Sequence, residues 1–336
     1  MNIPLLEIVG AGKRFKRGIL GRDATTALDD VSLSVPEAPP QIIAIAGESG
    51  SGKTTLARLL LGIERPTMGV VRYRGQDMRA LSRETRRRLR RDVQPIFQDP
   101  FEAYNPFYRV GHVMMMPALR LGLARTRFDA AAMIAGAVEQ VGLRPGEILG
   151  RYPHELSGGQ RQRLMMARAL LVRPRVIVAD EPVSMVDASL RATMLEGLRE
   201  LHRSHGISIV YVTHDLTTAF QIADKIVILF GGRVVETGGA EATISTPRHP
   251  YTRLLIDSIP RVELDRRWAD TPLAQQPRGE PPAPGGCNFA ARCTAVMPRC
   301  GREPPPLVAL AEGRFVRCFL AGDAARLPAR ESCGVR

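Results

Sequence analysis

Hydrophobic positions in this chain gather in short, β-branched runs at residues 42–46, 176–179, 209–213 and 226–230. Between them lie longer stretches of helix formers, such as residues 55–61 and 161–171. Brief apolar runs bounded by polar residues are strand-sized, and their alternation with helical stretches predicts an α/β fold with a largely parallel core sheet. The first three runs each lead directly into polar or glycine-rich residues, which is where an open α/β sheet presents its ligands. No run reaches the ~18 to 20 apolar residues of a membrane-spanning helix. No motif occurs twice, which excludes tandem repeats.

A length of 336 residues accommodates one or two domains with a sizeable core. Apolar residues make up 44% and charged residues 24%, the balance of a folded chain rather than a disordered one. The formal charge is +13, and Lys13, Lys16, Lys53 and Lys225 are the only lysines among 47 basic residues. Such an excess of arginine suits nucleic acid or an anionic membrane surface. The densest run, residues 83–91, holds six arginines and one glutamate but no aromatics, so it reads as a solvated helix face rather than a nucleic-acid platform. The first ten residues lack the basic and apolar regions of a signal peptide, which predicts a cytoplasmic protein. Residues 261–286 carry five prolines and three glycines and read as a linker. All five cysteines, Cys287, Cys293, Cys300, Cys318 and Cys333, lie beyond it. The expected organisation is therefore a main domain over 1–260, a linker over 261–286 and a cysteine-bearing extension over 287–325, with a frayed end.

The run 42–46 is followed by Gly47-Glu48-Ser49-Gly50-Ser51-Gly52-Lys53-Thr54-Thr55. Strand, then G-x-x-x-x-G-K-[ST], then helix is the P-loop pattern. Its glycines let successive backbone N–H groups and the helix N-terminus face a phosphate. Lys53 is placed to reach the β- and γ-phosphates of ATP, and the Thr54 hydroxyl to ligate Mg²⁺. The run 176–179 ends in Asp180-Glu181. Asp180 suits a direct or indirect partner of Mg²⁺, and Glu181 suits a base that polarises the attacking water. A second anion-binding helix start follows Leu156-Ser157-Gly158-Gly159-Gln160. One γ-phosphate has no use for two such ends in one monomer, so the economical inference is that one chain completes the site of another.

With this motif the sequence resembles the ATP-binding-cassette (ABC) ATPases, over about residues 5–320. The family order is complete in Phe15, the P-loop, Gln98 of Ile96-Phe97-Gln98-Asp99-Pro100, the Ser157 motif, Asp180-Glu181, Asp187 of Ser184-Met185-Val186-Asp187, and His214 of Thr213-His214-Asp215. The resemblance implies a parallel core sheet, an antiparallel β subdomain and a helical subdomain at about 98–170. It further implies that Phe15 stacks on adenine, Gln98 contacts Mg²⁺ or the attacking water, His214 contacts the γ-phosphate, and Ser157 to Gln160 with Asp187 serve the partner's nucleotide. Physically, a loop-tip glutamine can sense an ion through its carbonyl, and a histidine can donate to charge developing on a phosphoryl group.

Tyr104-Asn105-Pro106, Tyr152-Pro153-His154-Glu155 and Pro247-Arg248-His249-Pro250-Tyr251-Thr252 resemble the peptide and nickel importer branch. That branch implies an ATPase on the cytoplasmic face of the plasma membrane, paired with a second cassette. Its other implied partners are two transmembrane permease subunits, whose coupling helix Phe101, Tyr104, Phe107 and Tyr108 would receive, and an extracytoplasmic binding protein. Peptide, or oligosaccharide as in some relatives, is the implied cargo class. The spacing Cys287-x5-Cys293-x6-Cys300-x17-Cys318 suits Zn²⁺ or an iron–sulfur cluster. The branch implies a [4Fe–4S] cluster there, leaving Cys333 spare. The competing function is a soluble cassette ATPase in a nucleic-acid or phosphonate-metabolism complex.

Overall fold

The structure, a computed structural model, describes residues 3–17, 23–98, 104–184, 186, 188–259 and 285–321. Among them the strands are β1 (Leu6–Arg17), β2 (Asp23–Val35), β3 (Ile42–Ala46), β4 (Met68–Tyr73), β5 (Gln76–Asp77) and β6 (Val93–Ile96). They continue with β7 (Val176–Asp180), β8 (Ser208–Thr213), β9 (Lys225–Phe230), β10 (Arg233–Gly239), β11 (Leu307–Ala309) and β12 (Phe315–Arg317). The four apolar runs anticipated from sequence are β3, β7, β8 and β9.

Among the described residues there are two sheets. The larger has the order β11-β12-β10-β9-β3-β8-β7-β6, and the smaller β2-β1-β4-β5. In the larger sheet β9, β3, β8, β7 and β6 pair in parallel, while β10, β12 and β11 are antiparallel. The smaller sheet is antiparallel throughout. β3 is buried along its whole length, because a parallel strand covered on both faces carries no polar side. Ala44 and Ala46 pack into one core, and Ile43 and Ile45 pack into the other, together with Leu56, Leu59 and Leu60 of the helix Lys53–Leu60.

Residues 104–170 form the helical part: Val110–Arg120, Arg127–Gln140, Pro145–Ile148 and Gly158–Leu170. The helix Arg127–Gln140 starts on a capping box between Thr126 and Asp129, which satisfies two otherwise orphaned N–H groups. The arginine run forms the helix Arg83–Asp92, capped by Ser82, with Leu89 its buried residue and an Arg88–Glu84 pair of 2.7 Å on its open face. It is the solvated face that its composition predicts. No described helix is long and apolar enough to cross a membrane.

Residues 285–321 lie against the cassette rather than apart from it. β12 pairs with β10 at Glu236 and Thr237, so the segment extends the main sheet. Arg314 Nη2 donates to Glu236 Oε1 at 2.9 Å, with side-chain exposures of 7% and 0%. Glu236 also accepts the backbone N–H groups of Arg248 and His249, so its buried charge is well solvated by donors. Arg317 reaches Asp30 on β2 at 2.9 Å, at a more exposed position. The linker up to residue 284, Cys333 and the C-terminal end lie outside the described residues.

Removing Arg314 leaves a buried carboxylate short of its cation. Arg314→Ala is expected to cost about 3 to 5 kcal/mol in urea unfolding, whereas Arg317→Ala, which breaks a more exposed pair, should cost about 1 kcal/mol or less.

Candidate active site

The turn after β3 is shaped by backbone contact. A Cβ at Gly47 would stand 2.2 Å from the Leu229 carbonyl oxygen, and one at Gly52, whose φ is +104°, 2.4 Å from that of Ala27. Only glycine fits at either place. The loop closes on itself through Ser51 N–H to the Glu48 carbonyl at 3.2 Å. Ser49 and Gly50 are exposed at its tip. Lys53 is buried, and its ammonium donates to the carbonyls of Gly47 at 2.8 Å and Glu48 at 2.9 Å. Burial lowers the Lys53 pKa, while the charges of Glu181, Asp180 and Glu48 act to raise it. The Ser51 hydroxyl is buried without a hydrogen-bond partner. A buried ammonium turned on its own loop and an orphaned hydroxyl beside it both fit a polyanionic ligand.

Thr54 is exposed at the first turn of the following helix, and its Oγ1 lies 3.4 Å from Asp180 Oδ1 at the end of β7. Burial raises the Asp180 pKa, partly offset by the Thr54 hydrogen bond. A hydroxyl and a desolvated carboxylate side by side form a hard-oxygen pair of the kind that suits Mg²⁺. Thr55, the next residue, is half-buried.

Glu181 follows Asp180 with φ +45°, a left-handed conformation that is costly for a residue with a Cβ. It is held by its N–H to the Val212 carbonyl at 2.9 Å, and by the Ser184 N–H and hydroxyl, which donate to its own carbonyl. Its carboxylate is bridged: Gln98 Nε2 donates to Oε2 at 3.1 Å, and His214 Nδ1 stands 3.1 Å from Oε1. Gln98 and His214, just past the ends of β6 and β8, thus meet on the carboxylate of Glu181, just past β7. The strained backbone turns the side chain toward these partners, and their hydrogen bonds orient it.

Ser157 caps the helix Gly158–Leu170 in a capping box with Gln160, donating its N–H to Oε1 at 3.0 Å and accepting the Gln160 N–H at 3.2 Å. Ser157 and Gly158 are exposed and Gly159 is buried, so this helix start faces outward. On the same helix, buried Gln162 donates to the Pro182 carbonyl, tying it to the turn that carries Glu181. Phe15 lies on β1 opposite Thr25, 39% exposed, with Lys13 Nζ 4.8 Å above its ring. Asp187, with Met185 and Phe101, lies outside the described residues. Tyr104, expected in an apolar cleft, is instead core at 2% exposure, because its ring packs among the helices of 104–170. Phe107 and Tyr108 remain exposed, Tyr108 stacked on His112 at 4.6 Å.

Cys287, Cys293, Cys300 and Cys318 line one small cavity with His249, Phe289 and Met297, and none is in a disulfide. Backbone N–H groups of Phe289 and Ala290 approach the Cys287 sulfur, that of Ala295 the Cys293 sulfur and that of Leu320 the Cys318 sulfur. Burial raises the pKa of all three thiols, that of Cys318 to about 11. No group of three or more His, Cys, Asp or Glu among the described residues is placed to hold a metal ion.

Two contacts went unread in the sequence. The Tyr251 hydroxyl accepts the Glu48 N–H at 2.8 Å, and Arg292 pairs with the Glu48 carboxylate at 2.8 Å. Both are separated from the loop by about two hundred residues or more, beyond the reach of any spacing argument.

A glycine-shaped phosphate loop, an adjacent acidic pair and an outward-facing second helix start define an ATP-binding cassette with hydrolytic machinery. The chain matches the ABC transporter family over residues 28–184 and the oligopeptide/dipeptide transporter C-terminal region over residues 235–300. It is 36% identical to the dipeptide transport ATP-binding protein DppF of Haemophilus influenzae, covering 95% of this chain and 97% of that one. It is 38% identical to a putative peptide import ATP-binding protein of Brucella ovis, over 94% and 98% respectively. Among solved structures, a dimeric bacterial ABC transporter cassette matches with a TM-score of 0.62 at 26% identity, covering 70% of this chain and 98% of that one. A dimeric cassette in a post-hydrolysis state with ADP and Pi matches at 0.59 and 26%, with the same coverage. The chain is therefore an ABC ATPase, and it belongs to the family of ATP-binding subunits of oligopeptide and dipeptide transporters.

Lys53→Ala removes the buried cation of the loop and is expected to abolish saturable ATP binding by calorimetry. Glu181→Gln should lower ATP turnover by about 10²- to 10⁴-fold while ATP binding persists, with an ATP-dependent dimer visible by size-exclusion chromatography.

Proposed function

We propose that this chain is the ATP-hydrolysing subunit of a membrane importer of peptides or dipeptides. The observation that carries the hydrolytic part is the Glu181 carboxylate held between Gln98 and His214 beside the P-loop. In this reading the loop N–H groups and Lys53 bind the phosphates, and Glu181 accepts a proton from the attacking water. His214 and Gln98 hold the Glu181 carboxylate in place until nucleotide displaces their contacts. Mg²⁺, held by Thr54 and Asp180 with Gln98 nearby, would neutralise charge on the phosphates.

Two such chains, or this chain and a related one, close with Ser157, Gly158, Gly159, Gln160 and Asp187 of each over the nucleotide of the other, while Phe15 stacks on the base. The dimeric state of the similar solved cassettes supports this pairing. The peptide class is supported by the names of the relatives and by the match at residues 235–300. The reading includes two permease subunits, an extracytoplasmic binding protein and a peripheral position on the cytoplasmic face of the membrane. It keeps the expected division into a cassette over 1–260, a linker over 261–286 and an extension over 287–325.

The four clustered cysteines are read as ligands of an iron–sulfur cluster. Backbone N–H donors to the sulfurs suit bound thiolate. Zn²⁺ on the same four thiolates is the alternative. The iron–sulfur cluster would crosslink the segments bearing Cys287, Cys293, Cys300 and Cys318 and make their packing sensitive to redox conditions.

Anaerobically purified chain is expected to be brown, with iron and sulfide near four per chain, both lost in Cys300→Ser; a colourless preparation rich in zinc would overturn the cluster reading. For the transport reading, co-purification of the chain from its native membrane with permease subunits, and peptide-stimulated ATP turnover by that complex, are the expected results. Salt-sensitive DNA binding without permeases would favour the soluble alternative.

A further inference from the structure

The P-loop of this chain carries an acid at its second position, Glu48, and the structure shows what surrounds it. Its carboxylate is 38% exposed and is one of the charges that reach Lys53. A carboxylate so placed opposes the approach of a triphosphate unless it is neutralised. The neutralising group comes from the C-terminal segment: Arg292 Nη1 donates to Glu48 Oε2 at 2.8 Å.

Arg292 is not a loose surface arginine. Its guanidinium lies 5.5 Å from the centre of the Phe230 ring and 5.7 Å from that of Phe289, so two aromatic rings hold the cation in place. Phe289 in turn packs on Phe230 at 5.2 Å and on Tyr251 at 5.4 Å. The Tyr251 hydroxyl accepts the Glu48 N–H at 2.8 Å, so backbone and side chain of the same loop residue are held from one aromatic cluster. A second tether reaches the far side of the loop. Asn288 Nδ2 donates to the Gly231 carbonyl at 2.8 Å, and the next N–H, of Gly232, donates to the Ser51 carbonyl at 3.0 Å. Arg292 ends a single 3₁₀ turn, Ala290–Arg292, that joins Cys287 to Cys293.

We infer that Arg292 is a positioning residue of the nucleotide site, through which the C-terminal cysteine segment neutralises and holds Glu48 of the P-loop and so sets the affinity for ATP. This deepens the proposed function and rests on the P-loop being the ATP site. Its action is electrostatic and acts on ground-state binding, so it moves KM rather than kcat.

The test uses the full chain, a fluorescent ATP analogue for binding and steady-state ATP turnover, with denaturant unfolding of each variant. Arg292→Gln is expected to raise the analogue Kd and the KM for ATP about threefold to tenfold with kcat within about twofold of wild type, an effect that shrinks at high salt. Arg292→Lys, which keeps the charge, should recover part of the loss. Adding Glu48→Gln to Arg292→Gln removes the unpaired carboxylate and should return Kd to within about twofold of wild type. Unchanged Kd in Arg292→Gln, or no recovery in the double variant, would overturn the inference. Lys53→Ala separates the two levels: if it too leaves binding intact, the P-loop reading beneath the inference fails, and if it abolishes binding while Arg292→Gln does nothing, only the inference fails.

Discussion

The contact on which the site depends is the press of two backbone carbonyls against the phosphate loop. The Leu229 oxygen, from β9, and the Ala27 oxygen, from β2, occupy the space where Cβ atoms of Gly47 and Gly52 would stand. One carbonyl belongs to the larger, mixed sheet and the other to the smaller, antiparallel sheet, so the loop is gripped between the two. Its curvature is then set by backbone packing rather than by flexible side chains, and its N–H groups are organised in advance of any ligand.

Parallel pairing does the rest of the assembly. β6, β7 and β8 run the same way as β3, so their C-terminal ends emerge on the same side and deliver Gln98, Asp180, Glu181 and His214 to one place. Glu181 adopts a left-handed backbone there, a conformation tolerated because Val212 and Ser184 hold it at both its N–H and its carbonyl. The buried Gln162 to Pro182 contact ties the helix that begins at Gly158 to this same turn. The second helix start and the turn that carries Glu181 are therefore directly connected.

The C-terminal segment belongs to this machinery physically. A buried Arg314–Glu236 pair, the β12–β10 ladder and the Phe230–Tyr251–Phe289 cluster fasten it to the cassette. Together they bring the cysteine cavity close to the glycine-rich loop, which Arg292 reaches at Glu48.

By itself the sequence determined the strand runs, the phosphate loop, the acidic pair and the second capped helix start. Those features rest on local rules: burial favours apolar β-branched runs, a tight turn demands glycine, and a helix start demands a cap. It also bore enough of the order of motifs to assign the family. It did not reveal that Tyr104 is core, which depends on how neighbouring helices stack, nor that Glu48 is held by Arg292 and Tyr251. Tertiary structure alone decided which carbonyls press on the glycines and which side chains share the Glu181 carboxylate. These are pairings between residues far apart in the chain, and no spacing in a sequence encodes a distance that only packing creates.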